Sequence, residues 1–186
     1  HAAPWMEEPF DYTTGNLSGK GSWLGSGSSQ NSVAAGNLTY TGLATPTTSN
    51  NNLLQVGSGS NNTGYRPFNA SAVSSGTIYL SFLLQVTTIP ASTSGTDTLG
   101  LDDDGTISAS NGKLNTALAV DIKQTSATTY QIGVRKGQGS TSSAATFGGP
   151  TTFTTADVVL VVAKYEFLAG SDKVSLWINP SSANFG

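Results

Sequence analysis

A chain of 186 residues fits one large domain. Charged residues supply only 10% of it, against roughly 25% in typical soluble domains, and Ser, Thr, Asn and Gly take the surface positions instead, as suits an exported protein. A net charge of -3 offers no basic patch for nucleic acid and no polybasic membrane anchor, and the absence of cysteine excludes disulfides, thiolate catalysis and cysteine metal sites.

In chain order, residues 1–4 (HAAP) read as the remnant of a signal-peptidase site or as a tag scar, and residues 5–186 as a single β-sandwich domain. Trp5 to Tyr12 carries apolar Trp5, Phe10 and Tyr12 beside Glu7, Glu8 and Asp11, and predicts an early strand with a lead-in loop. Leu17 to Gly36 is Gly- and Ser-rich around Trp23 and Leu24, a composition for loops and short edge strands in which Trp23 pins the segment to the core. Leu38 to Leu43 and Leu53 to Val56 are short strand candidates, and Gly64 to Phe68 leads toward the longest strand. Asn-x-Ser/Thr sequons at Asn16, Asn37, Asn61 and Asn69 are what a chain this rich in Asn, Ser and Thr produces by chance, and they mark surface loops at most.

Gly76 to Ile89 has the clearest alternation, with Ile78, Leu80, Phe82, Leu84 and Val86 facing one way and Tyr79, Ser81, Leu83, Gln85 and Thr87 the other. A strand of that length spans roughly 40 Å. Thr98 to Leu101 is a short strand running into the acidic turn Asp102, Asp103, Asp104, Gly105, with Ile107 beginning the return. Ala117 to Lys123 and Thr129 to Lys136 form a hairpin with Leu118, Val120, Ile122, Tyr130, Ile132 and Val134 inward and Asp121, Lys123, Gln131 and Arg135 outward. Gln138 to Pro150 is a loop.

The stretch from Val158 to Pro180 organises the rest. VVLVVAKYEF and KVSLWINP, separated by LAGSD, read as a hairpin that supplies a central strand pair. Its first arm puts Val159, Val161, Ala163, Tyr165 and Phe167 on one face; its second puts Val174, Leu176 and Ile178 on one side and Lys173, Ser175, Trp177 and Asn179 on the other. The longest apolar run, Val158 to Ala163, falls far short of the ~20 residues that cross a bilayer as a helix. No stretch sustains a 3.6-residue period, and strand signals recur with turns between them, so the fold class is all-β: an antiparallel two-sheet β-sandwich.

The ordered set EPFDYTTGNLSG, GNLTYTGL, YRPF, GTIYLSFLLQV, LGLDDDG, YQIGVRKG and VVLVVAKYEFLAGSDKVSLWINP resembles the concanavalin A-like, laminin-G-like sandwich domains of exported bacterial proteins, often those with a C-terminal sorting segment. The resemblance covers Glu8 to Pro180, and EPFDY and KVSLWINP are its most specific pieces. It implies a jelly-roll sandwich, a secreted or cell-surface location, and a further strand beyond Pro180 beside the N-terminal one. The chain is expected to lack that strand, so that the sheet closes another way or with a strand from a partner.

Catalysis finds little support. Sandwich glycosidases present paired carboxylates at alternate positions of one strand, and none of Glu7, Glu8 and Glu166 has an acidic neighbour two residues away. His1 is the lone imidazole, which rules out a histidine brace and a Ser/His/Asp triad in this chain. Asp102 and Asp104, on one side of a continuing strand, are the candidate Ca²⁺ ligands, set against the plainer reading of a solvated Asp/Gly turn. Parity places Trp177 and Tyr79 outside the core, and together with Arg135 and Gln131 they are the candidate glycan platform. Two functions are therefore expected: a non-catalytic carbohydrate-binding domain, or a structural, adhesive subunit of a cell-surface or extracellular fibre that self-associates through sheet edges.

Overall fold

The computed structural model describes residues 4–26, 31–44, 49–57, 63–67, 73–102, 116–137, 144–149 and 151–181. These contain strands and turns without a helix, and every strand pairing is antiparallel, so the all-β expectation holds. No helix among them is long and apolar enough to cross a membrane. The described residues gather into two compact units, one up to residue 67 and one from residue 73 onward.

In the first unit, β1 (Gly15–Asn16) pairs with β3 (Asn31–Ala35), which pairs with β4 (Asn52–Val56), while β2 (Leu24–Ser26) pairs with β5 (Thr63–Tyr65). Leu17, Trp23 and Val33 form its buried centre, with Phe10, Tyr12 and Leu54 packed around them. Trp23 pins the glycine-rich segment as expected, stacking on Phe10 with ring centroids 5.8 Å apart. The strand expected over Trp5 to Tyr12 is absent, because the segment is tied into a loop at Glu8. That carboxylate accepts from the Phe10 N–H at 2.8 Å, the Tyr12 hydroxyl at 2.9 Å and the Trp23 indole N–H at 2.9 Å, and it pairs with Arg66. Phe10 meanwhile takes φ 54°, outside the strand region. Leu38 to Leu43 is likewise turn and irregular chain rather than strand.

The second unit holds β6 (Gly76–Leu84), β7 (Thr96–Asp102), β8 (Thr116–Gln124), β9 (Tyr130–Lys136), β10 (Thr146–Phe147), β11 (Val159–Phe167) and β12 (Lys173–Ile178). They form two sheets, ordered β12-β11-β6 and β10-β9-β8-β7. Leu118, Val120, Ile122, Tyr130, Ile132 and Val134 from one sheet share a core with Val159, Val161, Ala163 and Tyr165 from the other, so the inward parity read from the sequence is correct on both. Each fully buried Val, Leu or Ile contributes about 1.5–3 kcal/mol relative to exposure, which makes this shared layer the main source of the unit's stability.

The hairpin turn is fixed by Asp172, whose carboxylate accepts from the Tyr165 hydroxyl at 2.6 Å and the Leu168 N–H at 2.9 Å. Of the expected central pair, β11 is central and β12 is an edge. β6 is also shorter than expected, nine residues ending at Leu84. Its last partner is Val159, the first residue of β11, so the ladder stops where β11 begins. Within the expected loop from Gln138 to Pro150, the short strand β10 pairs with Val134 and Gly133.

Candidate functional site

Alternation along β6, β11 and β12 sends one set of side chains into the core and leaves the other on the outer face of the sheet. Register then fixes three rows across that face: Thr77, Glu166, Lys173; Tyr79, Lys164, Ser175; and Ser81, Val162, Trp177. Tyr79 is 56% exposed and Trp177 partly so, whereas Val162 between Ser81 and Trp177 is 3% exposed. The Lys164 ammonium lies 5.6 Å from the Trp177 ring centroid and 2.9 Å from the Glu166 carboxylate. Two aromatic side chains, the Lys164 ammonium beside Trp177 and a fringe of hydroxyls thus share one face of the sheet.

Arg135 and Gln131 sit elsewhere. Both project from the outer face of the β7-to-β10 sheet, so the structure brings Tyr79 and Trp177 together on one face and leaves Arg135 and Gln131 on the face of the other sheet. There the Gln131 amide donates to the Gly149 carbonyl at 2.8 Å, which holds the chain beside β10. Phe147 lies over Gly133, where a Cβ would stand 2.6 Å from its ring, so only glycine admits it. Lys123 covers the Phe147 ring with its ammonium 4.3 Å from the centroid.

Arg135 serves a carboxylate pair that spacing along one strand cannot reveal. Asp97 on β7 and Asp121 on β8 are directly opposite in register. The Arg135 guanidinium pairs with Asp97 and lies 3.5 Å from Asp121. Asp121 is 2% exposed, and its Oδ2 is buried without a hydrogen-bond partner. Burial first, then hydrogen bonding to Asp97 and the charge of Asp97, push its carboxyl up to about 7, against the opposing pull of Arg135. Asp121 is thus too enclosed to meet a polysaccharide, whereas the Asp97 side chain beside it is about half exposed. What could have revealed the pair is the outward parity of Asp121 combined with the β7–β8 register.

Asp104 lies outside the described residues, and Asp102 is described only through its backbone pairing with Thr116. Among the described residues, no three His, Cys, Asp or Glu side chains come together as a metal site. A groove of about 610 Å³ opens along β12, lined by Val174, Leu176 and Ile178 with Val134, Thr146 and Phe153 across it. No protein-family model, no curated protein and no solved structure matches this chain.

Proposed function

We propose that this chain is a non-catalytic carbohydrate-binding domain of the concanavalin A-like jelly-roll kind, exported to the cell surface or beyond. The glycan lies on the outer face of the β6–β11–β12 sheet. One observation carries the reading: exposed Tyr79 and partly exposed Trp177 share that face with Lys164, on the strand between theirs. Tyr79 and Trp177 are two strands and one row apart, which at ~4.8 Å per strand and ~6.8 Å per two residues places them about 12 Å from each other. That separation suits two sugar rings of an extended chain better than one monosaccharide. The face runs across three strands, so it meets the side of a polymer, with the aromatic rings stacking on pyranose faces and Ser81, Ser175, Lys173 and Glu166 meeting hydroxyls.

Affinity electrophoresis against a panel of soluble polysaccharides tests this. A retarding polysaccharide should be found, and Tyr79→Ala and Trp177→Ala should each weaken retardation about tenfold, equivalent to about 1.4 kcal/mol. Gln131→Ala, on the face of the other sheet, should leave it unchanged. Retardation that survives both aromatic substitutions would overturn the assignment of the face, and absence of retardation across neutral and acidic polysaccharides would overturn the function.

A further inference from the structure

The sheet ordered β12-β11-β6 ends at β12, and among the described residues no strand pairs with its outer side. The orientation of its backbone follows from the end of the hairpin, where the Asn179 N–H donates to the Leu160 carbonyl at 2.8 Å. Hydrogen-bonded pairs alternate along an antiparallel ladder. Lys173, Ser175 and Trp177 therefore turn their N–H and C=O groups toward β11, while Val174, Leu176 and Ile178 turn theirs outward. The same three residues send their side chains into the groove of about 610 Å³. An open edge above an apolar groove combines two features that folded proteins cover: backbone groups to which no described strand pairs, and apolar side chains that are only partly buried.

We propose that a second copy of this chain covers it, through antiparallel pairing of β12 with β12 about a twofold axis at Leu176. The strand is complementary to itself in three respects. With Leu176 opposite its own copy, Val174 meets Ile178, so every outward N–H and C=O of one strand faces those of the other. In that register Lys173 faces Asn179 and Ser175 faces Trp177, so no like charges meet, and a net charge of -3 per chain adds only weak repulsion between copies. Finally, the Val174, Leu176 and Ile178 side chains of both copies lie on one face of the joined sheet, so the two groove mouths meet and shield each other. A contact of this isologous kind closes on itself. It yields a dimer, where an open fibre would need two different edges. The pairing does not depend on the carbohydrate reading, although it would join two Tyr79 and Trp177 faces into one continuous surface.

Sedimentation velocity of the full chain should give the mass of two chains at high concentration and a reversible shift toward one on dilution. Because the protein has no cysteine, single substitutions report the register. In the proposed pairing the two Leu176 Cα atoms are about 5.5 Å apart, within disulfide range, whereas the two Ser175 Cα atoms are about 8 Å apart and outside it. Leu176→Cys should therefore oxidise to a covalent dimer and Ser175→Cys should stay monomeric on a denaturing gel. A species that is monomeric at every concentration, an open series of polymers, or cross-linking through position 175 in preference to 176 would each overturn the proposal. A monomer whose Val174, Leu176 and Ile178 amides resist hydrogen exchange would overturn it too, and would assign the edge to another segment of the same chain.

Discussion

Substituting Asp121 by Asn tests the carboxylate pair most directly, because the amide copies the shape of the protonated acid and cannot ionise. Asp121 has its carboxyl raised from 3.8 to about 7 by burial and by Asp97. The folded protein therefore binds this proton more tightly than the unfolded chain. Its contribution to stability is fully present below about pH 4 and is lost as pH rises toward 7. At 1.36 kcal/mol per tenfold change in proton affinity, that displacement is worth at most about 4 kcal/mol. Sharing of the proton with half-exposed Asp97 and relaxation of Arg135 bring the expected effect to about 2–3 kcal/mol. Urea unfolding, followed at the amide resonances of β8 and β9, should show wild type and Asp121→Asn equally stable near pH 3, below the unfolded-state value. At pH 8 the variant should be the more stable by about 2–3 kcal/mol. Equal differences at the two pH values, or a variant weaker at pH 8, would refute the argument that desolvation outweighs the attraction of Arg135.

Three further outcomes follow from particular contacts. Glu8→Gln removes the charge that Arg66 pairs with inside a carboxylate site shared by Trp23 and Tyr12, and should cost the first unit about 2–4 kcal/mol, read from the unfolding transition of Trp23 fluorescence. Gly133→Ala places a methyl against the Phe147 ring, so Phe147 should leave the sheet, with a loss of about 1–3 kcal/mol in thermal unfolding and of the upfield ring-current shift on Lys123. The Tyr165 hydroxyl, followed by the Leu168 N–H, holds the Asp172 carboxyl below its ordinary value, so what Asp172 contributes is present at neutral pH and lost on acidification through that lowered midpoint. In Tyr165→Phe the Asp172 titration, followed by carboxyl NMR, should move up toward 3.8.

Period-2 alternation recovered what a single strand encodes. The inward sets of β8, β9, β11 and β12 were legible because one face of each strand is apolar enough to fix its orientation. The same reasoning put Tyr79, Trp177, Arg135 and Gln131 outside the core correctly, yet it could not say which outer face each one joined. Parity tells in from out, and only strand order assigns a strand to a sheet. Trp5 to Tyr12 shows the opposite failure: its aromatic content suggested a strand, but Glu8 gathers donors from Phe10, Tyr12, Trp23 and Arg66, the last two distant in sequence, and these outweigh any local preference.

The Asp97–Asp121 pair was the hardest feature to foresee, since its partners are separated by 24 positions and meet only through the β7–β8 register. Two opposed carboxylates are a conflict that a sheet built for stability alone would avoid. Here Arg135 and a retained proton offset it, and β7 is an edge strand whose register slips beside Asp97. The conflict thus sits where the sheet has least to hold it. Ionising Asp121 should loosen β7 before the strands behind it. Hydrogen exchange at pH 8, corrected for the intrinsic rate, should therefore show Leu99 and Leu101, whose N–H groups face β8, losing protection while Ala119 and Gln131, bonded between β8 and β9, keep theirs. In Asp121→Asn the protection at Leu99 and Leu101 should return. Uniform loss across all four amides would instead mean that the second unit opens as one body, and that the pair has no privileged hold on its edge.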